Sequence, residues 1–297
     1  MVRRALTVLF TIALLLASAC SDDDEQGDAA DQPVPPSERV AAAADRTRAE
    51  GTARTAFESA VTGLGGGDET GSAAGEGLVD FEANRGSLDI DLGPLLAGAG
   101  VPGLDAQTET LYEGGLIYLR SDLVNSFLGV DTPWLRIDLE GSPGGAGAQP
   151  DLGPLASLAG NDPGDQLALL SAIDPASVQE VGQADVRGGA TTLYTATVDL
   201  AAGGATATDE DERRQFERLV DQLGTDRLDV GVNLDAEGRV RRIAYSPPPG
   251  GQGAGPAVDV ELEYYDFGAE VDLAIPAGDQ VTDLADVPLL AGSRSTG

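Results

Sequence analysis

The strongest constraint on this chain is a series of short segments in which apolar and polar residues alternate, several of them joined by only a few residues. Ser87-Leu-Asp-Ile-Asp-Leu puts Leu88, Ile90 and Leu92 on one side and Asp89 and Asp91 on the other. The same period of two runs through Leu78–Glu82, Gln107–Glu113, Gly115–Arg120, Trp134–Leu139, Val178–Val186, Thr191–Leu200, Asp229–Leu234, Arg239–Tyr245 and Ala257–Phe267. Successive side chains of a strand point to opposite faces, so each segment reads as a half-buried strand. Parallel neighbours need connections of about a dozen residues, so the pairing is mostly antiparallel. Gly114-Gly115 is a tight hairpin signal, and a last short strand is expected at Val271–Ile275.

Three segments read as helix. Ser37 resembles an N-cap, and Glu38 to Leu64 favours helix, with Phe57, Val61 and Leu64 in one stripe. Asp165–Ile173 is apolar enough for a short helix. Thr208-Asp-Glu-Asp opens the clearest one, with Phe216, Leu219, Val220 and Leu223 on one face and Gly224 at its end. Gly63–Gly77 and Gly141–Pro150 read as Gly-rich loops, and Asp91-Leu-Gly-Pro-Leu, repeated at Asp151, as one loop solution used twice. The fold class expected is α+β: a large curved antiparallel sheet, a half-barrel of roughly ten strands, covered by about three helices.

Composition removes much chemistry. The 297 residues contain one Cys and no His, and all 18 basic residues are Arg. A Ser-His-Asp or Cys-His arrangement cannot be built, nor a Schiff-base or phosphate-loop lysine. Zinc held by His or several Cys is excluded, as is a disulfide within one chain. The formal charge of −32 argues against nucleic acid and against an anionic membrane face. Asp22–Gly27 opens like a calcium loop, but Pro33 stands where its bidentate Glu would be. Gly98–Gly103 spells a dinucleotide fingerprint between antiparallel strands, where it opens no helix. The 50 acids select no pair for glycoside hydrolysis. Arg239, Arg241 and Arg242 form a local basic cluster that either meets an anionic head group or balances nearby acids. No metal and no cofactor are expected.

The N-terminus is a separate unit. Arg3-Arg4, an apolar run Ala5–Ala19 and small residues before Cys20 make a secretory signal rather than a membrane span. Ala17-Ser-Ala-Cys20 resembles the lipobox of bacterial lipoproteins, departing from it in Ala17, where Leu is preferred. That resemblance implies cleavage before Cys20 and acylation of its thiol. The expected organisation is a signal peptide at 1–19, an acidic and Pro-containing tether at 20–37, and a single domain at 38–297. The Arg-only basic set suggests a GC-rich genome.

The order of elements carries a second resemblance. After the lipobox come an N-terminal helix, Gly77-Leu-Val-Asp-Phe81, a Tyr-containing hairpin at Tyr112–Arg120, Trp134-Leu-Arg-Ile-Asp138, Val181–Gly188 with Thr191–Thr195, and Leu234–Arg242. The chain resembles the actinobacterial LppX/LprG-type lipoproteins, relatives of the LolA/LolB lipoprotein carriers. This implies a LolA-like lipid-binding domain with an apolar cavity between sheet and helices, and partners that are acyl chains of lipids or lipoglycans. It also implies attachment to the cell membrane through Cys20 on the extracytoplasmic, periplasmic side, with a membrane transporter as a further candidate partner. Candidate cavity residues are Phe81, Leu88, Ile90, Tyr118, Trp134, Tyr194, Val198, Phe216, Val232, Val260 and Leu262; the alternative is that they form a closed core. The function expected is non-enzymatic lipid binding or transfer. The alternatives are a sensor or scaffold with a closed core and, more remotely, a carboxylate-based hydrolase.

Overall fold

The computed structural model describes residues 34–64, 67–138, 163–207, 210–249 and 255–287. The signal peptide, Cys20, the calcium-like run, Gly141–Pro150, the second Asp-Leu-Gly-Pro-Leu copy and Thr208 lie outside them.

The chain enters the fold through a helical pair, α1 (Pro36–Ala41) and α2 (Ala43–Arg48). Pro36 rather than Ser37 opens α1, and Pro35 at its N-cap makes no side-chain cap bond. Proline suits this position because its missing N–H would be unpaired there anyway. The expected helix to Leu64 stops at Gly51, whose φ of +78° suits glycine. Thr52–Leu64 is instead strand β1. Phe57 and Val61 are an even number of residues apart, so they share one face of a strand as well as of a helix.

β1 pairs with β2 (Glu69–Asp80), which occupies the expected Gly-rich loop. β3 (Arg85–Asp91) follows after a short turn, then α3 (Gly93–Gly98), β4 (Gln107–Glu113) and β5 (Leu116–Arg120). The first Asp-Leu-Gly-Pro-Leu copy therefore opens a helix, with Asp91 Oδ1 accepting from Gly93 N at 2.8 Å. Gly114 and Gly115 both have positive φ, as a two-residue hairpin requires. Next come α4 (Asp122–Leu128) and β6 (Trp134–Asp138). The later half has α5 (Pro163–Gln166), continued by a 3-10 helix at Leu167–Ala172, and a 3-10 turn at Pro175–Ser177. Then come β7 (Gln179–Val186), β8 (Gly189–Asp199), α6 (Leu200–Thr206) and α7 (Glu210–Leu223). β9 (Arg227–Leu234), β10 (Val240–Tyr245), β11 (Ala257–Tyr265) and β12 (Val281–Asp283) complete the fold.

All 12 strands form one sheet, ordered β12-β6-β5-β4-β3-β2-β1-β11-β10-β9-β8-β7. The class is α+β, with every pair antiparallel except β12 beside β6. Among the described residues there are two strands more than the ten expected and seven α-helices instead of about three. Val271–Ile275 is not a strand: it crosses the outer face, where Leu273 and Ile275 pack on Tyr118, Trp134 and Leu111. That contact accounts for its alternation without any ladder.

Because neighbouring strands alternate in direction, the half-barrel has two distinct rims. The upper rim carries short turns at 81–84, 114–115, 187–188 and 235–239. The lower rim carries the long connections: 92–106 with α3, 121–133 with α4, 200–226 with α6 and α7, and 246–256. The helical pair α1–α2, segment 163–172 and the α6–α7 pair cover one face of the sheet, the core face. Gly203 of α6 faces the Phe216 ring of α7, where an added Cβ would come within 2.8 Å of ring carbons.

Candidate functional site

Strand register places the core-face side chains in rows that run across the sheet. One row reads Tyr194, Val232, Ile243, Leu262, Phe57, Gly75, Ile90 and Thr108. The next row toward the upper rim reads Tyr264, Thr55, Gly77, Leu88, Thr110, Leu119 and Leu135. Along β2 the core face consists of Gly71, Ala73, Gly75, Gly77 and Val79, a strip almost without side-chain bulk. A Cβ on Gly77 would lie 2.1 Å from the carbonyl oxygen of Ser87, and one on Gly75 would lie 2.3 Å from that of Asp89. Only glycine lets β3 lie so close at these positions.

Segment 163–172 lies over this face. Tyr264 donates its hydroxyl to the Pro163 carbonyl at 2.6 Å, and Tyr245 donates to Gln166 Oε1 at 3.0 Å. Burial pushes the Tyr245 phenol well above its usual range, so it remains a donor. Leu167 and Leu169 are fully buried. A six-residue 3-10 helix has poorer hydrogen-bond geometry than an α-helix, so tertiary contacts hold this segment more than its own ladder does.

Among the described residues the cover is incomplete at the lower rim of β11 and β1, whereas α3 lies over the lower end of β2, where a Cβ on Gly71 would come within 2.9 Å of the Leu95 backbone. Phe57 and Leu262 are 4% and 3% exposed, but Ser59, Val61, Val258 and Val260 beyond them are only half-buried. Val258 stands opposite Val61, and Val260 opposite Ser59. Half-buried Leu95 and Leu96 of α3 pack against the same core. The apolar interior thus reaches solvent through a strip of valines.

The sequence-predicted residues divide between the two faces. Leu88, Ile90, Tyr194, Val198, Phe216, Val232 and Leu262 are buried in one continuous core, and Phe81 and Val260 are half-buried against it. Phe81 sits at the upper rim, its ring centroid 6.4 Å from that of Tyr264. Tyr118 and Trp134 point the other way and join Leu111 in a separate cluster on the outer face. They alternate out of the core because Leu119 and Leu135, their neighbours in sequence, point into it. Sequence reasoning missed Val61, Val258 and the small-residue strip of β2. The signal for the strip was the every-second-residue spacing of Gly71, Ala73, Gly75 and Gly77.

Away from the cluster of Leu111, Tyr118 and Trp134, the outer face is polar around β1, β2, β10 and β11. A hollow of about 570 Å³ lies over Ala56, Ala74 and Gly75, walled by Glu58, Glu76, Glu261, Glu263, Arg187 and Arg242. Arg187 Nε donates to Glu263 at 2.6 Å, and its guanidinium lies 3.9 Å from the Tyr265 ring centroid. Arg242 pairs with Glu261 at 3.0 Å and with Glu263 at 2.9 Å. Partial burial holds Glu261 above its ordinary range; Arg242 opposes the shift, and Glu263 and Glu58 add to it. Arg239 binds Asp235 at 2.8 Å, and Arg241 Nε donates to the Tyr264 carbonyl at 3.0 Å. The basic cluster is engaged by protein groups, chiefly acids. A second hollow of about 390 Å³ at the lower rim is lined by Asp89, Asp105, Gln107, Thr108, Glu109, Arg120, Ser121 and Asp122. Burial raises Asp89 there, with Arg120 opposing. Among the described residues, no three His, Cys, Asp or Glu side chains are grouped so as to hold a metal ion.

No protein-family model matches the chain. No curated protein matches it either. Among solved structures it is similar to LprF from Mycobacterium bovis, at 14% identity and a TM-score of 0.43, covering 82% of this chain and 97% of that one. It is similar to the lipoprotein LppX from Mycobacterium tuberculosis at 10% identity and a TM-score of 0.41, covering 80% and 98%. A LolA superfamily protein from Nitrosomonas europaea aligns at 10% identity and a TM-score of 0.32, covering 81% and 96%.

Proposed function

We propose that this chain is a lipoprotein of the cell envelope, anchored by acylated Cys20, that binds or transfers a lipid through its acyl chains. The observation that supports this most is the half-open valine strip, where a largely apolar sheet face stays in reach of solvent at one rim. An acyl chain entering between Val258, Val260 and Val61 would run along the small-residue strip of β2 above α3, displacing segment 163–172 from it. Each CH₂ moved out of water contributes about 0.8 kcal/mol, so no bond chemistry is needed. Lipid and lipoglycan acyl chains are the ligands of this reading, the membrane its location, and a membrane transporter its candidate delivery partner.

A second reading is a non-catalytic envelope sensor or scaffold. The close packing of Leu88, Ile90, Tyr194, Val198 and Val232, each no more than 1% exposed, favours it. Native mass spectrometry of the protein gently extracted from its own membrane separates the two. The carrier reading expects a bound lipid mass beyond the covalent anchor, lost in Val260→Trp while the thermal unfolding midpoint is retained. A wild-type chain without that mass overturns the carrier reading in favour of the scaffold.

A further inference from the structure

The lower rim exposes apolar side chains in two neighbouring connections. Val101 and Leu104, between α3 and β4, are 47% and 44% exposed, and Phe127 on α4 is 71% exposed. β3, β4, β5 and β6 are consecutive in the sheet, so both connections leave it side by side. Phe127 leaves most of its ring outside the fold, and exposed apolar residues on adjacent connections of one rim suit a contact surface.

The occupant follows from where the chain arrives. Thr47 of α2 accepts from Val240 N at the upper rim, and Arg39 of α1 reaches the Tyr194 hydroxyl in the middle of β8. The helical pair therefore descends toward its own start, and α1 packs beside Pro175–Ser177 at the lower end of β8. Residues 21–34, which separate this point from Cys20, span at most about 50 Å when fully extended. The half-open valine strip belongs to the same rim. Exposed Asp105, Asp122 and Asp131 stand among the apolar tips, so an anionic surface would be repelled.

We propose that the lower rim is a membrane-contact surface that seats Val101, Leu104 and Phe127 at the interface of an electrically neutral, zwitterionic bilayer, with the valine strip opening toward the lipid. This rests on the acylated-Cys20 reading above. It adds an orientation that an anchor on a long tether does not impose.

The test uses the full acylated chain carrying Leu104→Cys, Phe127→Cys or, at the upper rim, Glu82→Cys. Each is labelled with an environment-sensitive fluorophore and reconstituted into phosphatidylcholine vesicles. Nitroxide-labelled lipid should quench the probes at 104 and 127 several-fold more than the probe at 82, and aqueous iodide should show the reverse order. Chains that float with the vesicles while all three probes respond alike to iodide overturn the rim contact and leave the anchor standing. Probes at 104 and 127 shielded from both quenchers mean that a second copy covers the rim, which also overturns it. Chains that stay in solution, with intact mass showing no acyl groups on Cys20, overturn both the contact and the anchor.

Discussion

The two rims turn the same chain back into the same sheet in opposite ways. At the upper rim the turns are a few residues long and their polar groups are met by protein. Arg239 is held by Asp235, Glu237 and Glu50, Arg85 by Asp80, and the Val240 amide by Thr47. At the lower rim three connections, 92–106, 121–133 and 200–226, run to a dozen residues or more and carry helices, and the first two have apolar tips in solvent. Polar satisfaction closes one end of a curved sheet without asking anything of its surroundings. An end finished with half-buried valines and exposed Phe127 leaves apolar surface in solvent among the described residues.

Three substitutions sharpen or break this contrast. The largest effect is expected at the upper rim. Thr47→Val removes the acceptor 2.8 Å from the buried Val240 amide. An unpaired buried donor costs about 1–3 kcal/mol, so the unfolding midpoint should fall by roughly 2–4 °C per kcal/mol. A midpoint within 1 °C or so of wild type by circular dichroism would show that the upper rim is not held this way. The next effect belongs to the strands between the rims. Glu261 is raised above its ordinary range in the folded chain, so folding favours its protonated form and its ionisation costs stability. That cost is absent below about pH 4, the usual carboxylate range, and is in full force above the raised value. Glu261→Gln should therefore gain a little stability at pH 7, where solvent screens a group this exposed, and nothing below about pH 4. A loss at pH 7 would mean that the Arg242 pair outweighs burial. The smallest effect on stability is at the lower rim: Phe127→Ser should stay within about 0.5 kcal/mol of wild type. A larger loss would make Phe127 part of the fold rather than of its surroundings.

Legibility in the sequence followed the same geography. The strands from β3 onward announce themselves because one face is apolar and the other charged, as in Leu88, Ile90 and Asp89. β1 and β2 do not. β1 has Ala and Thr on both faces, so its even-numbered spacing passes for a helical stripe. β2 replaces apolar side chains with glycines, whose value lies in the approach of a neighbouring backbone that no local pattern encodes. Chemistry alone groups Tyr118 and Trp134 with the core, whereas their placement on the outer face depends on register with Leu119 and Leu135. The cover of the core by residues 163–172 was legible only as a short helix. Its seat comes from Tyr245 and Tyr264, each more than 75 residues away in the chain.

β1 holds the central place in the sheet, and this has a consequence for how the protein is made. It pairs at once with β2, but its other neighbour, β11, begins only at residue 257. Loop closure over such a separation is slow and comes late. Until it happens, thirteen residues of β1 present an open hydrogen-bonding edge in the middle of the future sheet. A chain delivered N-terminus first would carry that edge through nearly the whole of its synthesis. Its risk during biogenesis is mispairing with another nascent copy, and the step that ends the risk is the arrival of β11.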